Sequence, residues 1–177
     1  MKKYLAMILL SFFCACVGIV IFYDKPAQIL ESTQDARITH IMVEKAKRTL
    51  SLYAGDEVIK TYTIALGKNP IGHKQFEGDS KTPEGEYVID SKNPKSRYFL
   101  NLGISYPNEA DKAYAQNLHK SAGGDIKIHG LPNGFGFAKG LFKLYGDWTD
   151  GCIAVDNESM QEIYQLVPVG TIITILP

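Results

Sequence analysis

From Ile38 to the end of the chain, apolar residues come in short runs, several alternating with polar ones, and glycine and proline cut those runs at close intervals. This rhythm limits the fold more than any other feature. Side chains alternate faces with period two in a strand, whereas a helix needs a longer stretch of 3.6-residue periodicity. Thr49-Leu50-Ser51-Leu52-Tyr53 alternates, Ala54-Gly55-Asp56 turns, and Glu57 to Ile64 alternates again, which predicts a β-hairpin. Ile38, Ile41 and Val43 predict a strand ahead of it, ended by the charged stretch Glu44 to Arg48. Tyr87 to Asp90, Tyr98 to Leu102, a short piece ending at His129, and Thr171 to Leu176 predict further strands. Residues 67–86 read as loop. One or two short helices are expected. Asn108 to His119 has Asn108 as its cap and Gly123-Gly124 as its stop, and Asn157 to Leu166 carries Met160, Ile163, Tyr164 and Val167 at core-facing spacing. The expected class is mainly β, or a β-rich α+β domain.

The N-terminus has a different composition. Lys2-Lys3 precede an uncharged apolar run from Tyr4 to Tyr23, long enough to span a membrane as a helix. We read residues 1–23 as a signal-anchor, with a cleaved signal or lipid attachment at Cys14 or Cys16 as alternatives. The two lysines would stay cytoplasmic and the remainder would lie outside, in the cell envelope. Residues 24–36 read as a tether and 37–177 as one catalytic domain, expected to be a monomer. Lys+Arg and Asp+Glu number 19 each, so there is no basic excess to hold nucleic acid. Small-molecule, peptide and cell-wall substrates remain open.

Cys152 is the only cysteine beyond the N-terminal apolar run. A lone thiol cannot form an internal disulfide, and in an exported domain it is exposed to oxidation without a structural return. The alternative is a small buried hydrophobe. His129, 23 positions upstream at the end of an apolar run, supplies the partner that a nucleophilic thiol needs. As imidazolium it would lower the thiol pKa. Backbone N–H groups near Gly151 and Cys152 are candidate oxyanion donors. The histidines and the single cysteine do not form a zinc ligand set, and no glycine pattern for a nucleotide cofactor is present, so no metal or cofactor is expected.

Ile128-His129-Gly130 followed by Thr149-Asp150-Gly151-Cys152-Ile153-Ala154-Val155 resembles the active-site signature of the L,D-transpeptidase catalytic domain, the YkuD family. Thr82-Pro83-Glu84-Gly85-Glu86-Tyr87 resembles the family's Thr-Pro-x-Gly-x-aromatic element. The resemblance implies a β-sandwich-like fold with the cysteine at the end of a cleft. It implies Cys152 as nucleophile, His129 as general base and the Gly130 carbonyl as the group that orients the imidazole. Thr149 and Gly151 match the signature's Ser/Thr and its glycine. The implied reaction takes peptidoglycan stem peptides: terminal D-alanine leaves, the stem is acylated onto the cysteine, and an amine accepts it. An L,D-carboxypeptidase, an amide hydrolase or a non-catalytic wall-binding module on the same scaffold are the competing readings.

Two positions depart from the signature. Asp150 stands where His or Arg is frequent, and an acidic neighbour disfavours a thiolate unless it is paired; it could contact an acceptor amine or His73. The interval between His129 and Cys152 is also long, and Asn133 to Asp147 reads as a loop over the cleft. His73 is a candidate for lining the substrate groove, and Arg97 and Lys127 for meeting stem carboxylates. His40 and His119 read as surface residues.

Overall fold

The computed structural model describes residues 37–135 and 146–177. The segments 1–23 and 24–36, and positions 136–145 of the expected loop, lie outside the described residues. Among the described residues, no helix is long and apolar enough to cross a membrane.

Strands β1 (His40–Glu44), β2 (Thr49–Ala54) and β3 (Glu57–Thr63) form an antiparallel meander, as the alternation predicts. The last strand, β8 (Ile172–Leu176), lies parallel to β1 on its other side. In this register Ile41 faces Leu52 and Ile173, and Val43 faces Leu50 and Ile175. Period-two alternation therefore sends all six side chains to one face, where each is at most 1% exposed. Burying one such chain stabilises by about 1.5–3 kcal/mol, which fixes the register.

Strand β4 (Gly85–Ser96) is the pivot. Its first residues, Gly85 to Val88, pair with β8, and from Ile89 onward it pairs with β5 (Phe99–Ile104). Strands β6 (Lys127–His129) and β7 (Ile153–Ala154) complete the order β3-β2-β1-β8-β4-β5-β6-β7. Both halves contribute to one core, through Ile41 and Ile173 on one side and Leu102, Ile128 and Ile153 on the other. Helix α1 spans Glu109–Asn117 and helix α2 spans Asn157–Leu166. α2 lies against β5, with Met160, Ile163 and Val167 fully buried. The fold is mainly β with two short helices, as expected.

Two local expectations need correction. β4 continues to Ser96, well past Asp90, although residues 91–96 are polar and include Pro94. Beyond Val88 this strand pairs only with β5, so its other edge is open to side chains and to a residue without an N–H. Helix α1 ends before Gly123-Gly124: His119 takes φ +56° and its N–H bonds the Gln116 carbonyl, so the chain leaves the helix there. The expected N-cap holds, with Asn108 and Asp111 forming a reciprocal capping box.

The loop over 67–86 is held by two lysines that the sequence marks only as charged. Lys45 is 2% exposed and donates to the Gly72 carbonyl (2.8 Å), the Thr82 carbonyl (3.0 Å) and Glu84 (2.8 Å). Burial pulls its pKa down, and Glu84 opposes that pull. Lys74, also buried, donates to Asp79 (2.8 Å), whose carboxylate accepts in addition from the N–H groups of Gln75, Phe76 and Lys81. Burial alone would raise the Asp79 pKa, but Lys74 and these N–H groups hold it below its ordinary value.

Replacing Lys45 by Ala strands Glu84 and two carbonyls. We expect a loss of about 3–5 kcal/mol in urea unfolding, against less than about 1 kcal/mol for the exposed pair partner Lys112→Ala. Equal effects of the two substitutions would show that Lys45 does not hold the loop.

Candidate active site

Strands β6 and β7 run parallel, with Ile128 opposite Ile153 and His129 opposite Ala154. Ile128 and Ile153 point into the core and are fully buried. Alternation then sends His129 and Lys127 of β6, and Cys152 one step before β7, to the opposite face. Asn101 of β5, paired with His129, joins them. These four residues line one cleft of about 480 Å³, together with Tyr98, Trp148, Thr149, Asp150, Arg97 and Lys68 among others.

His129 is 4% exposed and closely held. Its Nδ1 lies 2.7 Å from the Gly130 carbonyl oxygen, which can only accept, so Nδ1 carries the proton and Nε2 is left as the basic nitrogen. The ring packs against Tyr98 (centroids 4.6 Å apart) and Trp148 (5.7 Å, edge-on), which also touch each other (6.1 Å), so the three rings form one cluster. Burial lowers its pKa, outweighing the Gly130 bond that raises it, and the Lys127 charge adds to the lowering. Gly130 is itself fixed. Its N–H points to the carbonyls of Tyr98 and Leu100, and Asn157 Oδ1 accepts the next N–H, that of Leu131, at 2.8 Å. A Cβ on Gly130 would come within 2.7 Å of that Asn157 oxygen, so only glycine fits beside it.

Cys152 is free and half-buried. Its Sγ lies 3.7 Å from the Asp125 carbonyl oxygen, the geometry of a weak S–H donor. Burial pushes its pKa up; the Lys127 N–H and ammonium pull down, and the charges of Asp125 and Asp150 push up again. These directions run against the expected imidazolium that lowers the thiol pKa. Both shifts favour the uncharged forms, thiol and neutral imidazole.

The turn before the cysteine is a built structure. Thr149 is buried; its Oγ1 donates to the Cys152 carbonyl (2.7 Å) and accepts the Gly151 N–H (3.1 Å). That N–H is thus engaged, which corrects the expectation that it helps to form an oxyanion site. Gly151 has φ +133°, and a Cβ there would sit 2.7 Å from the Lys81 carbonyl oxygen. Thr82 Oγ1 accepts the N–H of Gly67, and Gly67 pairs with Thr149. The Thr82-Pro83 element therefore supports the cysteine turn from behind. On the incoming side, Asp147 forms a forked pair with Arg48 (Oδ2 to NH2, 2.6 Å) and accepts the Leu66 N–H (2.9 Å).

Asp150 is 84% exposed in its side chain and pairs with Lys68 at 2.8 Å, not with His73. Lys127 pairs with Asp125 at 2.5 Å. Arg97 lines the cleft and makes no ion pair with the described residues. His73 lies elsewhere: its Nδ1 accepts the Glu84 N–H (2.9 Å) and its Nε2 faces buried Asp111 (2.9 Å). Those contacts tie loop 67–86 to α1 and leave no ring nitrogen for a substrate. His119 is exposed as read, and His40 is half-buried, edge-on to Tyr53. Sequence reasoning missed Tyr98, Trp148, Asn157 and Lys68, since nothing in their local pattern separates a cleft aromatic or a bracing amide from an ordinary surface residue.

The model of the YkuD family, the L,D-transpeptidase catalytic domain, matches residues 38–175. YafK of Escherichia coli K12, an L,D-transpeptidase by name, is 30% identical over 135 residues, which is 72% of this chain and 46% of that protein. YkuD of Bacillus licheniformis, named likewise, is 32% identical over 137 residues, 77% of this chain and 65% of that protein. This chain thus spans less than two thirds of either relative. Among solved structures, the K307A mutant of the helical cell shape determining protein Pgp2 from Campylobacter jejuni superposes with a TM-score of 0.56 at 28% identity, covering 80% of this chain and 47% of that one. The match runs from the first core strand to the last and takes in the histidine, the cysteine and the Thr-Pro element that braces its turn, and on that ground the chain belongs to the YkuD family of L,D-transpeptidase catalytic domains.

Proposed function

We propose that this protein is a cysteine acyltransferase acting on peptidoglycan stem peptides at the outer side of a membrane. The observation that carries the reading is that His129, its Nδ1 committed to Gly130, and Cys152 line one cleft on the same face of the sheet. As Sγ attacks the carbonyl before a terminal D-alanine, His129 Nε2 takes the thiol proton. It then returns that proton to the departing amine, leaving a thioester on Cys152. An acceptor amine resolves the thioester to a cross-link. The likeness to a cell-shape protein supports a role in wall architecture.

The cationic residues of the cleft suit an anionic donor. Arg97 and Lys127 lie where a stem carboxylate would meet them. Arg97 is free of ion pairs with the described residues, so a donor carboxylate would not have to displace a partner.

A carbapenem is the direct test. Incubation with the purified protein should add the drug's mass to the wild type and not to Cys152→Ala, read by intact-mass spectrometry. An unmodified wild type would sink the reading in favour of a wall-binding module. With a stem tetrapeptide as substrate, dimers indicate transfer and trimmed monomers indicate a carboxypeptidase.

The two pKa directions predict a distinctive pH profile. Iodoacetamide should alkylate Cys152 slowly at neutral pH and its rate should still be climbing above the ordinary thiol range, while the acid limb of turnover falls below the ordinary histidine value. An alkylation plateau in mild acid would instead mark a preformed thiolate–imidazolium pair. His129→Ala should cost roughly 10²–10⁴-fold in turnover.

Asn157→Ala should lower turnover by roughly 10²-fold through misplacement of the Gly130 carbonyl. Asn157→Asp, which keeps the accepting oxygen, should recover most of it. Equal losses in the two variants would show that the Leu131 bond is not what positions His129.

A further inference from the structure

Beside the main cleft lies a second hollow of about 330 Å³, walled by Lys74, Glu77, Ser80, Ile126 and the glycines 78, 123 and 124. Asp150 lines both spaces, and it stands two residues from the nucleophile. Among the described residues the only cation lining the hollow, Lys74, is already spent on Asp79, with both side chains 4% exposed. Glu77 makes no ion pair among the described residues, so the hollow offers carboxylates without a matching positive charge. Among the described residues Asp150 pairs only with Lys68, and the two side chains are 84% and 59% exposed. Such a pair is weakly bound in water and exchanges partners easily. The cleft's other acidic residue, Asp125, is tied to Lys127 and does not line the hollow.

We propose that Asp150 is the specificity carboxylate for the acceptor, receiving its amine as an ammonium from the second hollow and displacing Lys68. The inference rests on the acyl-enzyme reading above and names the site of its second substrate. The docked ammonium releases one proton to water. Its lone pair then attacks the thioester carbon; the C–N bond forms as the C–S bond breaks. The amine's second proton passes through His129 to the departing thiolate, restoring the thiol and the neutral imidazole. An acidic residue where His or Arg is frequent thus acquires a use: it selects a cationic nucleophile over a neutral one.

The test compares two acceptors on the full chain after loading with a stem tetrapeptide donor. One is a stem tripeptide with a free side-chain amine, and the other is hydroxylamine, which is uncharged at neutral pH. The readout is the ratio of the tripeptide KM to the hydroxylamine KM within each variant, so any general loss of activity cancels. Asp150→Asn should raise this ratio roughly tenfold. Lys68→Ala, which frees the carboxylate, should lower it, and added salt should raise it in the wild type. An unchanged ratio in Asp150→Asn, or a wild type that forms the carbapenem adduct but transfers to no amine, would overturn the acceptor site and leave the acyl-enzyme standing. Absence of any adduct would overturn both.

Discussion

The site depends on a parallel pairing only two residues long. Ile128 against Ile153 and His129 against Ala154 hold two chain segments, separated by 23 positions, in fixed register. Because successive side chains alternate, burying the two isoleucines sends His129 and Cys152 to the same outer face. A slip of one residue would turn one of the pair into the core and a core isoleucine into the cleft. The hydrophobic penalty of that slip, about 2 kcal/mol or more per misplaced side chain, guards the geometry.

So short a ladder cannot hold Cys152 by itself. Loop 67–86 supplies the rest, and it is stiffened by polar groups rather than by apolar packing. Lys45 and Lys74 satisfy carbonyls and carboxylates inside the loop, His73 and Asp111 tie it to α1, and Thr82 holds Gly67. Gly67 and Gly151 permit the close backbone approach, each facing a carbonyl oxygen where a side chain would stand. The Arg48–Asp147 fork does the same on the incoming side of the turn. Buried charges of this kind contribute little net stability but make their removal expensive, so they favour one arrangement of the loop.

Burial sets the chemical character of the site. His129 packs in a cluster with Tyr98 and Trp148, and burial lowers its pKa; burial likewise raises that of Cys152. Both shifts run toward the uncharged forms, so under the proposed reaction the proton would move only when a substrate arrives. A neutral thiol is also less open to oxidation than a thiolate. Charge is kept to the rim, where Lys68 with Asp150 and Lys127 with Asp125 can exchange partners with a charged ligand.

By itself the sequence determined the strand-rich class, the β2–β3 hairpin, both helices with the Asn108 cap, and the catalytic candidates Cys152, His129 and Gly130. These are legible because they rest on local rules: period-two alternation, turn residues, capping side chains, and short motifs whose residue types carry their own chemistry. The tertiary structure alone decided the rest. Lys45 reads as a surface charge until the fold closes over it, and His73 reads as a groove residue until Asp111 and the Glu84 N–H claim both its nitrogens. Strand β4 reaches Ser96 because its neighbour β5 accepts a polar edge, which no local propensity announces. The directions in which the His129 and Cys152 pKa values move are likewise set by burial, since a pKa depends on what surrounds a group in space and the chain order carries no measure of that.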